Sequence, residues 1–372
     1  PNTVYNHETK EITDTTRAWD VSAQGDKSII AWYVDSEIRN GIYKVHIANN
    51  NQIQGQTSIT NNDIYANQDS SNLFAYVGRA AKSTATEAIT NIGILNVNNV
   101  TNMSYMFENI GYTAMTSLKL GDKFNTSNVT NMAHMFENTG YTAMTSLDLG
   151  DKFDTSKVTN MNSMFNATGY TAMPSLELGA KFDTSAVTDM NSMFYQTGYK
   201  LMTSLDLGDK FDTKNVTDMA SMFNGTGHKA MTSLDLGPAF TKIPSTNTDV
   251  FKETGKANTI VIQAPEAIFE NNKTLTDSYT FKRLFKSHTN LLSPENLILP
   301  ATTLTSSCYE GMFGGCTSLT TSPELPATTL ASNCYQGMFS GTNVLPDCSN
   351  IDFTSNSVVS SGGLISLFAG TK

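Results

Sequence analysis

The feature that most constrains this chain is a phrase said five times. "VTNMSYMFENIGYTAMTSLKLGDKFNTSN" runs from Val100 to Asn128, and "VTNMAHMFENTGYTAMTSLDLGDKFDTSK" follows at once. Val100, Val129, Val158, Val187 and Val216 stand 29 residues apart. Met103, Met132, Met161, Met190 and Met219 keep the same spacing, as do Leu118, Leu147, Leu176, Leu205 and Leu234. A fixed period of about 20–50 residues marks a solenoid, a propeller or an array. A propeller blade needs four strands and roughly 40 residues. Twenty-nine residues leave room for one strand, one return segment and two turns, which favours a solenoid.

Inside one unit, "MTSLDL" sets Met144, Leu147 and Leu149 in the L-x-x-L-x-L spacing of leucine-rich repeats. Leu147 and Leu149 alternate, so both point inward from one strand. On the return side, Val158, Met161, Met164 and Phe165 fall at i, i+3, i+6 and i+7, the spacing of one helical face. The expected fold class is an α/β-type repeat solenoid, leucine-rich-repeat-like, with one strand plus a short helical or 3-10 turn per rung. All 17 methionines lie in repeat phrases at fixed slots, which assigns them to packing rather than to a binding groove.

The repeats divide the chain. Residues 1–75 do not repeat; "SIIAWYV" and "IYKVHIA" read as strands around the turn at Asn40-Gly41, and both tryptophans, Trp19 and Trp32, sit here. A repeat stack needs its first rung covered, so 1–75 is expected to be a β-rich N-terminal cap. Residues 76–250 hold the 29-residue repeats, and 251–372 continue with irregular rungs, Phe251 occupying the Met-Phe slot. A second repeat type begins with "LPATT" at Leu299 and again, 26 residues on, at Leu325. "LISLF" at Leu364–Phe368 is a last partial copy. About ten rungs are expected, spaced by about 4.8 Å along the stack.

Net charge is −10 without a basic run, which argues against nucleic-acid binding. No stretch approaches the roughly 20 apolar residues of a transmembrane helix. The sequence carries no secretory signal peptide, and it reads as a fragment whose targeting signal and surface anchor lie elsewhere. "LPATT" is internal, repeated, and has Thr where a sortase signal needs Gly. Cys308, Cys316, Cys334 and Cys348 are too few for a disulfide scaffold. Cys308 and Cys334 share a slot in adjacent repeats, where stacked side chains point the same way and suit free thiols better than a bridge. The histidines His7, His46, His134, His228 and His288 are scattered, and no nucleophile elbow, P-loop or zincin motif is present. No catalytic residue, cofactor site or metal site is expected.

Two files of outward letters are candidate sites. Asp148, Glu177, Asp206 and Asp235, with Lys119 at the head of the same file, face out between inward leucines. Like charges facing each other on adjacent strands cost roughly 1 kcal/mol per pair before screening. The acidic file is therefore either a solvated face or a candidate partner-binding face. Tyr112, Tyr141, Tyr170 and Tyr199, ending in His228, form a candidate aromatic edge that either packs over a loop or stacks on sugars or partner side chains. A third file, Asn125, Asp154, Asp183 and Asp212, each followed by Thr, fits Asx turns and caps.

The phrases "FDTSKVTNMNSMF", "TSLDLGDKF" and "GCTSLTTSPELPATTLASNCYQGMF", with the opening "WDVSAQGDKSIIAWYV", resemble the BspA-type leucine-rich-repeat surface proteins of bacteria. The middle units depart from that family through the insertion "NATGYTAM". The resemblance implies a secreted or surface-anchored binding protein, adhesin-like, whose partner is a protein or glycan on a host or neighbouring cell. It implies an extracellular location at the bacterial cell surface and supplies no catalytic residues. A structural spacer without a specific ligand is the rival expectation, and an enzyme ranks behind both.

Overall fold

The structure is a computed structural model. It describes residues 64–79, 86–90, 92–244, 249–257, 260–263, 275, 281–288, 299, 301–319 and 321–343, together with the short strands in 4–46 named below. The turn at Asn40-Gly41, Trp32, His7, Cys348 and the phrase at Leu364–Phe368 lie outside the described residues, as does most of the expected cap. The chain forms two compact units, Pro1–Ala186 and Val187–Lys372.

In the first unit, β1 (Val4–Asn6) runs antiparallel to β2 (Glu11–Thr13); β5 (Lys44–His46) and β7 (Ile89–Thr90) then add in parallel. A second sheet has the order β3 (Trp19–Asp20), β4 (Ser28–Ile29), β6 (Ile64–Tyr65), β8 (Leu95–Asn96). In the repeats, β9 (Ser117–Lys119) pairs in parallel with β10 (Ser146–Asp148). In the second unit, β12 (Ser233–Asp235) lies between β11 (Ser204–Asp206) and β13 (Val261–Gln263), again in parallel. Registers such as Leu118 opposite Leu147 and Leu205 opposite Leu234 put equivalent letters side by side. This is a repeat-type fold built from short parallel strand pairs.

Packing follows the inward letters. Every one of the 17 methionines is fully buried. Phe107 stacks on Phe74 and Phe136, and Phe136 on Phe165, at 5.4–5.7 Å between ring centres. In the second unit one file runs Phe194, Phe223, Phe251, Phe285, Phe313, Phe339 at 5.3–5.6 Å. Phe251 therefore does fill the repeated slot, and the 26-residue repeats keep the ring position of the 29-residue ones.

The return segment is not the expected helical turn. Among the described residues the one helix is a 3-10 turn at Ile92–Ile94. Met103, Tyr105, Phe107 and Asn109 donate backbone N–H groups to the carbonyls of Asn131, Ala133, Met135 and Glu137 in the next repeat, at 2.8–2.9 Å. Met106, Glu108 and Ile110 donate three residues back, to Met103, Tyr105 and Phe107, at 3.1–3.2 Å. A helix would direct every amide to the residue four back; here alternate amides leave the repeat altogether. The turns need φ > 0 at every fourth residue, and non-glycine residues supply it: Tyr105 (60°), Asn109 (56°), His134 (58°), Asn138 (54°) and Ser163 (52°). That conformation costs an L-residue about 1–2 kcal/mol. The inter-repeat bonds offset it, since an unpaired buried amide costs about as much.

Buried threonines tie the repeats further. The Thr139 hydroxyl donates to the Phe107 carbonyl at 2.8 Å, and the Thr168 hydroxyl to that of Phe136 at 2.7 Å. The Thr126 hydroxyl donates to the Asp154 carbonyl at 2.8 Å and accepts the Asp154 N–H at 2.7 Å. The Asx turns expected at Asn125, Asp154, Asp183 and Asp212 are present, each side-chain oxygen accepting the N–H two residues on.

Candidate functional site

The strand file places its outward letters as the alternation requires. In β9, β10 and β11 the middle leucine is buried and its flanks are exposed. Asp148, Glu177 and Asp206 are exposed, while Asp235 is half-buried. Their surroundings differ, so they are not four equivalent acids. Asp148 faces Lys119 across β9–β10 and pairs with its ammonium at 3.2 Å. Both side chains are well exposed, so that pair contributes little stability. Glu177 belongs to residues 175–177, which form no strand. Asp206 stands opposite Asp235, and Asp235 also opposite Gln263.

Three of these acids have a local duty that the sequence did not reveal. Asp148, Asp206 and Asp235 each accept the N–H of the glycine two residues on, Gly150, Gly208 and Gly237, at 2.8–3.0 Å. Those glycines have φ of 70–76°. The carboxylate thus closes the turn that leaves the strand, as Asx side chains commonly do.

The aromatic edge is a stack. Tyr141 lies between Tyr112 and Tyr170 at 4.6 and 4.5 Å with nearly parallel rings, all three half-buried. In the second unit half-buried Tyr199 stacks on His228 at 4.6 Å. Burial, with Tyr170 and Tyr112 alongside, pushes the Tyr141 phenol up to about 12. The faces of Tyr141 are covered by its neighbours. A sugar would have to meet this file elsewhere than on the faces of Tyr141, which are stacked on both sides.

A cluster that sequence reasoning missed lies on the turn column. The Tyr76 hydroxyl donates to Glu108 at 3.1 Å, Asn109 donates to the same oxygen at 2.8 Å, and the Arg79 guanidinium sits 5.2 Å from the centre of the Tyr76 ring. Tyr105 stacks on His134 at 4.4 Å, and His134 bonds to Glu137. Burial raises the Glu108 carboxyl, against the bond from Tyr76. No single phrase signals it, because Tyr105, Glu108 and His134 occupy the variable letters of the repeat.

The thiols are chemically quiet. Cys308, Cys316 and Cys334 are thiols outside any disulfide and are fully buried. Burial pushes Cys308 and Cys316 up to about 12, far from the thiolate that nucleophilic chemistry needs. Among the described residues no group of three metal-ligating side chains converges, and no helix is long and apolar enough to cross a membrane.

The family model described as Mycoplasma protein of unknown function, DUF285, matches residues 75–172, 141–235 and 171–280. These matches together span more than half of the 372 residues. The chain belongs to the DUF285 family. No curated protein and no solved structure matches it. The DUF285 matches end at 280, yet the phenylalanine file continues through Phe285, Phe313 and Phe339.

Just past the DUF285 matches lies one buried titratable group with a measurable consequence. His288 is fully buried, and its Nε2 lies 2.8 Å from the Phe251 carbonyl, so Nε2–H donates. Its Nδ1 has no partner among the described residues. Burial lowers its pKa from 6.5 to about 4, opposed by the bond to Phe251. The unfolded chain therefore binds a proton at a higher pH than the fold does. His288 contributes its stability in full above pH 6.5, and that contribution declines as pH falls toward 4. The expected loss is about 1–3 kcal/mol across that window. Urea titrations of the parent and of His288→Gln at several pH values check it: the difference between their midpoints should change between pH 6.5 and 4, and a constant difference refutes the assignment.

Proposed function

We propose that this DUF285 chain is a non-enzymatic, adhesin-like binding protein, secreted or held at a bacterial cell surface. In this reading its rungs continue as a solenoid of the BspA-type leucine-rich-repeat kind. Its strand face meets a protein or glycan of a host, a matrix or a neighbouring microbe. The observation that carries the reading is the division of labour within each repeat. The apolar letters shared by all repeats are buried, whereas Asp148, Glu177 and Asp206 are displayed to solvent at repeated positions. Stacked repeats offer extended binding surfaces in this way.

The experiment is a screen of the purified chain against arrayed host proteins and glycans. It is followed by a variant carrying Asp148→Asn, Glu177→Gln, Asp206→Asn and Asp235→Asn. A ligand that uses the acidic letters should bind about tenfold more weakly or worse to the variant, with a shallower salt dependence. Unchanged affinity and salt dependence would move the binding surface elsewhere. A structural spacer without a specific ligand is the second reading. It is favoured by the bonds from Gly150, Gly208 and Gly237, which give three of the acids a role inside the chain. The spacer reading predicts no saturable ligand in the screen.

A further inference from the structure

One letter sets the repeat at 158–186 apart. Pro174 stands where the other repeats have Thr116, Thr145, Thr203 and Thr232. The Thr145 N–H donates to the Thr116 carbonyl at 2.8 Å, and the Thr116 N–H to that of Thr86 at 3.0 Å. Proline has no N–H to offer, so Pro174 cannot continue this line to Thr145.

The strand side is open just beyond it. β12 is paired on both sides, by β11 and β13, whereas among the described residues β10 is paired only by β9. The close packing of turn glycines ends at the same place. A methyl group added at Gly121 would lie 2.9 Å from Gly93, and one at Gly150 would lie 3.2 Å from Gly121. One added at Gly179 would meet nothing within 4 Å. An open groove of about 450 Å³ occupies this position. Its lining includes the buried Leu149 and Leu178 and the charged Asp148, Asp151, Glu177 and Lys181. Elsewhere the two repeats stay joined: the Gly169 N–H bonds to Thr139 at 3.0 Å, and the Thr171 N–H to Tyr141 at 2.9 Å. The groove is thus a local opening in an intact pair of repeats.

We propose that this groove takes an extended basic peptide that pairs with the open edge of β10. An edge strand presents N–H and C=O groups to an incoming strand, and peptide recognition by strand addition uses them. Charge chooses the partner. Three carboxylates face one ammonium in the lining, and Asp151 and Glu177 are exposed. Asp148 is shared with Lys119 on its other side. Alternate side chains of an added strand point the same way, so lysines or arginines at every second position reach the carboxylates while the intervening residues cover Leu149 and Leu178. The proposal rests on the binding reading above and names its partner class.

The test is fluorescence anisotropy with a short labelled peptide of alternating lysine and valine, beside its glutamate–valine counterpart. The basic peptide should bind the parent chain saturably, and more weakly as salt rises. Pro174→Thr restores the N–H that can reach Thr145 and should weaken binding about tenfold or more. The exposed pair Asp151→Asn with Glu177→Gln should do the same, and it carries the test should Pro174→Thr fail to fold. Absence of saturable binding, equal binding of the glutamate–valine peptide, or unchanged affinity in the folded variants would overturn the proposal. An arrayed ligand whose binding survives Pro174→Thr while the basic peptide fails would sink the groove and leave the binding reading standing. Peptide binding that meets these criteria, without any arrayed ligand, would uphold the groove and remove the arrayed host proteins and glycans as its partners.

Discussion

Phe136→Ala should cost the fold about 3–5 kcal/mol, read as a drop in the urea midpoint. Phe136 is fully buried and packs ring to ring between Phe107 and Phe165, each at 5.4 Å. Phe153 closes in from the strand side at 6.3 Å. Removing the ring leaves a cavity bounded by repeats on both sides, which collapse poorly because their backbones are fixed to one another by the Phe107–Met135 and Phe136–Met164 bonds. The stacked geometry adds a loss beyond area alone, since aligned aromatic pairs contribute about 0.5–1.5 kcal/mol beyond burial. A change below about 1 kcal/mol would mean that the phenylalanine file is not the centre of the core.

Gly140→Ala should rival it, with a loss of about 2–5 kcal/mol by the same titration. Two costs add. Gly140 has φ of 53°, which an alanine adopts at about 1–2 kcal/mol. Its new methyl group would also fall 2.2 Å from Cβ and 2.8 Å from Sδ of Met144, and overpacking of that kind costs about 1–3 kcal/mol. Met144 is fully buried and cannot swing away to solvent. The double variant Gly140→Ala, Met144→Ala, read against Met144→Ala alone, reports the sulfur contact only, because it keeps both the strained φ and the 2.2 Å approach to Cβ. If Gly140→Ala is neutral, the close glycine–methionine contact that recurs at Gly111–Met115 and Gly169–Met173 is not required.

Much of this architecture was legible in the letters. The valine, methionine, leucine and phenylalanine slots are the buried ones, and the short parallel strands fall on "SLK" and "SLD". The return segment is ambiguous in sequence for a definite reason. Val158, Met161, Met164 and Phe165 satisfy a helical face, but a file of overlapping turns also buries residues at that spacing. The choice between the two depends on where alternate amides point, and no side chain encodes that. Positive φ at Tyr105, His134 and Ser163 gives no cue either, because turn readings look for glycine or asparagine. Among the candidate sites, the outward direction of Asp148 and Glu177 followed from alternation. The bonds to Gly150, Gly208 and Gly237 did not, because the period says which letters recur without saying which oxygen meets which amide. The consequence of Pro174 was on view as a single departure from a repeated phrase, and it acquires meaning only when the neighbouring strand edge is seen to lack a partner.

The bonds that join one turn column to the next carry a genetic consequence. Met103 donates to Asn131 as Met132 donates to Asn160, and Phe107 to Met135 as Phe136 to Met164. A recombination event that excised the codons for 129–157 would bring Met103 opposite Asn160 and Phe107 opposite Met164. Every donor would meet an acceptor of the kind it lost. Tandem coding repeats that misalign by one whole period would therefore yield shorter or longer chains whose new junctions are already compatible. Misalignment by a number of codons that is not a whole period would break the register of the junction where it falls. Chain length in such a molecule is a quantity that inheritance can alter in steps of 29 residues without inventing a new contact.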